Sequence, residues 1–270
     1  MSTKASSGDN IYAKVKSAIN FLLPIFCLLV VWEILARLHL VVPYLFPPPS
    51  QVFQKWISLF SPPLYIMRQD VLYSLYRLMY GFLLSAGIGI ALGITMGLSN
   101  KVYKFFTPLL SLLLPIPSIA WIPIVILWLG LGDLTCVVIV FLAGIFSVVY
   151  NVSSGVRSVS KYHIWAAQSM GATKLQIFYK VMLPGALPYI ITGLRLAMGG
   201  GWRALIAAEM LSATMWGLGY RIYQAKQFLA VDVMYAGIIS LALLGFTLER
   251  IIFTYIERRT VARWGMIREM

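Results

Sequence analysis

Six apolar runs, separated by short polar, basic or proline-rich breaks, set the rhythm of this chain. They cover residues 21–38, 71–98, 105–129, 134–150, 187–210 and 233–255. About 17–25 apolar residues carry a helix across the hydrocarbon core of a bilayer, so each run predicts a spanning helix. Residues 1–20 are a polar leader with Lys4, Lys14 and Lys16, and residues 257–270 are a basic tail with Arg258, Arg259, Arg263 and Arg268. No small-residue cleavage site follows the leader, so the first run reads as an uncleaved span.

The breaks carry the information. Residues 41–70 predict an outer stretch, because Phe46-Pro47-Pro48-Pro49 and Ser61-Pro62-Pro63 do not suit helix interiors. Residues 211–231, with Trp216-Gly217-Leu218-Gly219, predict a second outer loop. The third run contains Pro108, Pro115, Pro117 and Pro123. Each proline removes a backbone donor, so this span must be kinked or locally unwound. Irregular backbone at membrane depth sits beside protein or a water-filled cavity, and both readings stay open here.

Residues 160–188 are a polar-to-amphipathic island, too short and polar to span. Tyr162, Trp165, Ala166 and Met170 recur at helical spacing. Gly171 stands where a left-handed C-terminal residue belongs. Thr173 and Gln176 are spaced as a capping box, opening a second short helix with the apolar stripe Leu175, Phe178, Tyr179 and Met182. Pro184 and Pro188 are expected to end it. Two short helices about a glycine predict a compact docking knob.

Composition places the whole in the membrane. The chain is 60% hydrophobic and 11% charged, with mean hydropathy +0.83. Its net charge of +13 is dispersed among the apolar runs, so nucleic acid is not the expected partner. With the N-terminus inside, Lys4, Lys14, Lys16, Lys101, Lys104, Arg157, Lys161, Lys174, Lys180 and the four tail arginines give 13 inner cations. Lys55, Arg68, Arg221 and Lys226 give 4 outer ones. The positive-inside rule therefore predicts both termini and the knob in the cytoplasm. Cys27 and Cys136 lie in apolar runs without metal-ligand spacing and read as packing residues.

No zinc-protease, nucleophile-elbow or phosphate-loop motif is present, and His39 and His163 are predicted on opposite sides of the membrane. Glu33 with Arg37, and Glu249 with Arg250, lie near span ends where snorkelling suffices. Arg203 and Glu209 lie deeper, beside Gly199-Gly200-Gly201. Arg203 suits contact with an oxyanion or pairing with Glu209, and Arg77 is a second contact candidate placed near the outer surface. Six residues separate Arg203 and Glu209, about 240° around a helix, so pairing within one helix is awkward.

Ala166-Ala167, Gly171 four residues on, and Val181-x-Leu183-Pro184 resemble the cytoplasmic loop of binding-protein-dependent ABC importer permeases, written E-A-A, G, then I-x-L-P. Trp165 stands in place of the Glu and Val181 in place of the Ile. Pro115-Ile116-Pro117, Ala120-Trp121-x-Pro123 and Trp128-Leu129-Gly130-x-Gly132 are similar to the nitrate, sulfonate and taurine branch, as are Gly193-Leu194-Arg195, Gly201-Trp202 and Ala207-Ala208-Glu209. The resemblance implies an all-α integral membrane protein with six spans in residues 21–256, of the type I ABC importer permease kind. It places a coupling-helix loop at 157–186, with Trp165, Ala166, Ala167, Gly171, Ala172, Leu183 and Pro184 facing an ATPase. Arg195 and Glu209 look like framework shared with that family, and Arg203 lies between the matched positions; with Pro115, Pro117, Trp121 and Trp202 they are the candidates for a substrate path. The implied partners are an ABC ATPase dimer that binds ATP and Mg, a second and identical permease subunit, a periplasmic or lipid-anchored substrate-binding protein, and lipid of a bacterial inner membrane. This chain itself is expected to bind no cofactor. A stand-alone secondary transporter would instead need inverted repeats or a coupling carboxylate. A non-transporting scaffold or receptor would need neither the broken span nor the buried charges.

Overall fold

On one face of the second span, Gly81, Ser85, Gly89, Gly93 and Gly97 recur at four-residue spacing, and that stripe sets the centre of the bundle. In the computed structural model, which describes residues 7–38, 42, 44–62 and 65–260, this run is helix α3 (Ile66–Leu98). It lies against α6 (Asp133–Ser158). A Cβ on Gly81, Gly89, Gly93 or Gly97 would fall 2.5–2.8 Å from the Cβ of Val140, Val148, Val152 or Val156 respectively. Water is absent from the bilayer interior, so helices there associate through close packing at small residues rather than through apolar burial. The other side of α6 packs as tightly on α9 (Leu183–Ser212), where Gly193 meets Asn151 Cβ at 2.9 Å from its own missing Cβ.

The remaining helices wrap this three-helix block. Helix α1 (Ser7–Arg37) contains the first apolar run. Helix α4 (Asn100–Leu113), a 3₁₀ turn (Ser118–Trp121) and α5 (Ile122–Leu129) form an apolar pair bent by 88°, with the shape of a broken span or a re-entrant loop. The bend falls at Pro115 and Pro117, as their missing donors require, while Pro108 is carried inside α4. The last span, Val231–Glu257, consists of α11 (Val231–Phe246), a π-helical segment (Thr247–Ile252) and the start of α12 (Phe253–Thr260). No strand occurs among the described residues.

Four expectations change. The outer stretch 41–70 holds an amphipathic helix, α2 (Pro49–Phe60), because Pro49 stands at its first turn, where no backbone donor is needed. The Glu33 carboxylate accepts from the Ser50 N–H at 3.1 Å and pairs with Arg37 at 2.7 Å, so Glu33 caps α2 rather than merely snorkelling. The loop 211–231 holds α10 (Leu218–Gln227). Pro184 and Pro188 do not end the island's second helix: a π-helical segment (Phe178–Met182) joins it to α9, and both prolines lie in the first turns of α9. The wide turn gives the backbone the slack a proline needs. Lys4, His39, Pro63, Arg263 and Arg268 lie outside the described residues, as do the side chains of Lys14, Lys16 and Arg258.

The α3–α6 seam predicts a sharp positional contrast. Gly93→Val should destabilise the detergent-solubilised chain by about 1–3 kcal/mol through overpacking. Gly87→Val, at a position where an added Cβ meets nothing within 4 Å, should leave stability within about 0.5 kcal/mol. Equal thermal midpoints for the two variants would contradict this packing.

Candidate functional site

The knob is built as its capping residues dictate. Helix α7 (Lys161–Ser169) ends at Gly171 with φ 76°, where the Ala172 N–H donates to the Ala167 carbonyl at 3.0 Å and the Gly171 N–H to Gln168 at 2.9 Å. This is the paired closure of a Schellman motif. Helix α8 (Lys174–Ile177) opens with a complete Thr173–Gln176 capping box. The apolar side chains face outward: Met170 is 87% exposed, and Tyr162, Trp165, Leu175 and Tyr179 are exposed with it. Ala166, Ala167, Pro184 and Val181 line a groove of about 640 Å³ at the base of the knob, together with His163 and Lys180. A rigid two-helix projection with uncovered apolar side chains has the chemistry of a protein-docking surface.

At the opposite end of α3, α6 and α9 lies a buried charge network. Arg77 is 1% exposed and Glu209 is fully buried. Arg77 Nη1 donates to Glu209 Oε1 at 2.8 Å and to the Trp216 carbonyl at 2.6 Å, while Nη2 pairs with Asp133 at 2.6 Å. Ser74 and the Gly219 N–H donate to the Glu209 carboxylate, each at 2.9 Å. Asp70, also fully buried, accepts from Arg221 at 2.7 Å and from the Gly217 N–H at 3.0 Å. Gly217, at φ 141°, has its backbone laid on the pair; a Cβ there would sit 2.6 Å from Arg77 Nη1. The network ties the Trp216–Arg221 segment onto three spanning helices.

This corrects two expectations. The partner of Glu209 is Arg77, not Arg203, because Glu209 turns into the bundle while Arg203 is exposed on the opposite side of α9. Arg77 is not an outer-surface contact residue; three acceptor groups, Glu209, Asp133 and the Trp216 carbonyl, draw it inward. Glu209, grouped with the path candidates, is enclosed by the network. Asp70, Ser74, Asp133 and Arg221 were missed, although a buried Arg and a buried Glu in spans call for partners, and the Trp-Gly-Leu-Gly run signalled close backbone approach.

The other path candidates divide. Pro115 and Pro117 are exposed at the break of the third span, and Trp121 packs partly on the main core. Arg195 pairs with Glu257 at 3.2 Å and donates to Thr254 at 3.3 Å. It lines a groove of about 510 Å³ with Gly245, Phe246, Glu249 and Arg250. Trp202 is buried against Gly245, and Arg203 lies on the uncovered face of α9 with no ion pair among the described residues. No cluster of metal-ligating side chains occurs among the described residues.

Asp70→Ala removes the anchor of the Trp216–Arg221 segment. A charge-assisted hydrogen bond contributes about 1.5–3 kcal/mol, so amide exchange in α10 should accelerate by about ten- to a hundredfold while exchange in α6 stays unchanged. Unchanged α10 exchange would contradict the anchoring role.

Residues 87–262 match the family described as binding-protein-dependent transport system inner membrane component. The chain is 40% identical over 225 residues to the taurine transport system permease protein TauC of Escherichia coli K12, covering 82% of each. It is 32% identical over 237 residues to the putative aliphatic sulfonates transport permease protein SsuC of Bacillus subtilis 168, covering 88% of this chain and 84% of that protein. It is 31% identical over 232 residues to the nitrate import permease protein NrtB of Synechocystis, covering 83% of each. An inward-facing structure of the MetNI methionine ABC transporter superposes with TM-score 0.62 at 20% identity, over 77% of this chain and 99% of that one, so the fold is that of a type I importer permease. The chain belongs to the family of binding-protein-dependent transport system inner membrane components.

Proposed function

We propose that this chain is the permease subunit of an ATP-driven importer for small sulfonates or related oxyanions. The observation that carries the reading is the knob: two capped helices present uncovered Tyr162, Trp165, Met170, Leu175 and Tyr179 at one end of the bundle. Trp165 supplies apolar contact where the family pattern has a charge. The proposed partner is an ABC ATPase dimer holding ATP and Mg, which would draw the knobs together and switch the path between outward and inward access. A second copy of this chain completes the path, and a substrate-binding protein delivers to the outer face near α2 and α10. The positive-inside count supports an inner-membrane orientation with both termini and the knob in the cytoplasm. A stand-alone transporter is disfavoured, because Glu209 is fully engaged by Arg77, Ser74 and Gly219 and is not available to carry a coupling proton.

Reconstitution with its ATPase and binding protein tests this directly: ATP-dependent uptake of a sulfonate is expected, and uptake without nucleotide would contradict it. Gly171→Asp should assemble, since a Cβ at Gly171 meets nothing within 4 Å, yet lower coupled uptake at least about tenfold by obstructing the docking face and straining the φ 76° turn. Normal uptake by that variant would remove the coupling role. In a background lacking Cys27 and Cys136, Lys174→Cys should label from the inner side and Lys226→Cys from the outer side; labelling of both from one side would overturn the orientation.

A further inference from the structure

We propose that the groove between α9 and the inner half of the last span holds the headgroup of a membrane phospholipid, one that carries both a phosphodiester and a primary ammonium. Such an ethanolamine-type lipid belongs to the bilayer around the chain, so the site does not depend on which solute is transported. The groove measures about 510 Å³ and is lined by Arg195, Gly245, Phe246, Glu249 and Arg250. A missing side chain sets its carboxylate in place. The Glu249 carboxyl carbon lies 3.1 Å, and both its oxygens 3.2 Å, from where a Cβ on Gly199 would stand. The acid of the last span is thereby seated against α9.

Two of the groove's three charges lack partners. Arg195 is already held by Glu257 and Thr254. Glu249 and Arg250 are both exposed, and neither forms an ion pair or hydrogen bond among the described residues. Consecutive residues of a helix do not face each other, so neither answers the other. Charges carried by a span call for a counter-charge or water, and one ligand bearing both signs satisfies both. The Arg250 fork suits phosphate oxygens, and the Glu249 carboxylate accepts from an ammonium. A purely anionic headgroup would leave Glu249 unpaired and meet its charge directly, whereas a choline headgroup has no N–H to donate. Both residues belong to the π-helical segment Thr247–Ile252, a form of helix often found at functional sites.

Depth and surroundings point to a lipid rather than a free solute. Tyr255 is exposed near the inner end of the span, and the Arg259 guanidinium lies 5.1 Å from the centre of its ring. Exposed tyrosines of spanning helices sit at headgroup level. Arg250 lies five residues further in, about 7–8 Å along the helix, a depth from which an arginine reaches the interface. Still further in, Ile239, Leu243 and Phe246 share one stripe with Arg250 at spacings of four, three and four residues. Leu243 and Phe246 are both exposed, and Phe246 is itself in the groove wall. An apolar stripe running toward the bilayer centre and ending inward in a charged pair has the form of an acyl chain with its headgroup. Basic pockets between spanning helices on the inner side are where lipid headgroups are held.

The test is native mass spectrometry of the full-length chain, delipidated in detergent and titrated with phosphatidylethanolamine, phosphatidylglycerol and phosphatidylcholine of identical acyl chains. Wild type should bind the ethanolamine lipid about tenfold more tightly than the other two, the scale of one charge-assisted hydrogen bond. Glu249→Gln should abolish that preference by weakening the ethanolamine lipid, while phosphatidylglycerol binding is kept or raised, which also reports a folded variant. Gly199→Ala, whose methyl would displace the carboxylate, should act in the same direction. Arg250→Gln should weaken phosphatidylethanolamine and phosphatidylglycerol together. Glycerophosphoethanolamine, the same headgroup without chains, should bind at least about a hundredfold more weakly, because the apolar stripe then buries nothing. No preference in wild type, an unchanged preference in Glu249→Gln, or equal loss of both lipids in that variant overturns the site. Equally tight binding of the chain-free headgroup overturns the assignment to a lipid.

Discussion

Arg77 and Glu209 are two charges placed where neither is tolerable alone. Breaking a buried pair by removing one member costs about 3–5 kcal/mol, because the other stays buried without a counter-charge. Here the pair is also satisfied at its remaining atoms: Asp133 and the Trp216 carbonyl complete the guanidinium, and Ser74 and Gly219 complete the carboxylate. Four chain segments, α3, the start of α6, the end of α9 and the approach to α10, are thereby fixed at one point. The glycines at 217 and 219 follow from it, since a side chain at Gly217 would occupy the space of the pair.

From that point the bundle runs as one block to the knob. Helix α6 is held between α3 and α9 by small residues along its length, and α9 continues through a π-helical turn into the knob itself. A displacement at the knob is therefore a displacement of α9, and the uncovered face of α9 carries Arg203. Small residues at the seams let three helices approach closely without water between them. In one length of chain, α9 joins a docking surface, a charged groove and the buried anchor.

Four spanning helices were legible because apolar runs of bilayer length admit few alternatives, and the bend between α4 and α5 followed from Pro115 and Pro117. The knob was legible to individual residues, Gly171 and the Thr173–Gln176 pair, since capping chemistry is local. The charge network was not. Arg77 and Asp133 are separated by 56 positions, and Asp70 and Arg221 by 151, and nothing in the spacing of one span shows which residue of another it faces. Arg203 and Glu209 were weighed together because they share a helix, whereas tertiary contacts set each its own surroundings. The prolines at 184 and 188 misled for the opposite reason, because a wider helical turn absorbed them.

The mutual dependence of Arg77 and Glu209 is open to direct measurement by a double-mutant cycle on unfolding of the purified chain. Arg77→Met and Glu209→Gln should each destabilise by about 3–5 kcal/mol. The double variant should cost less than their sum by about 2 kcal/mol, within the range seen for residues in contact. Additive losses would show that the two charges act independently, and the anchor described here would be wrong.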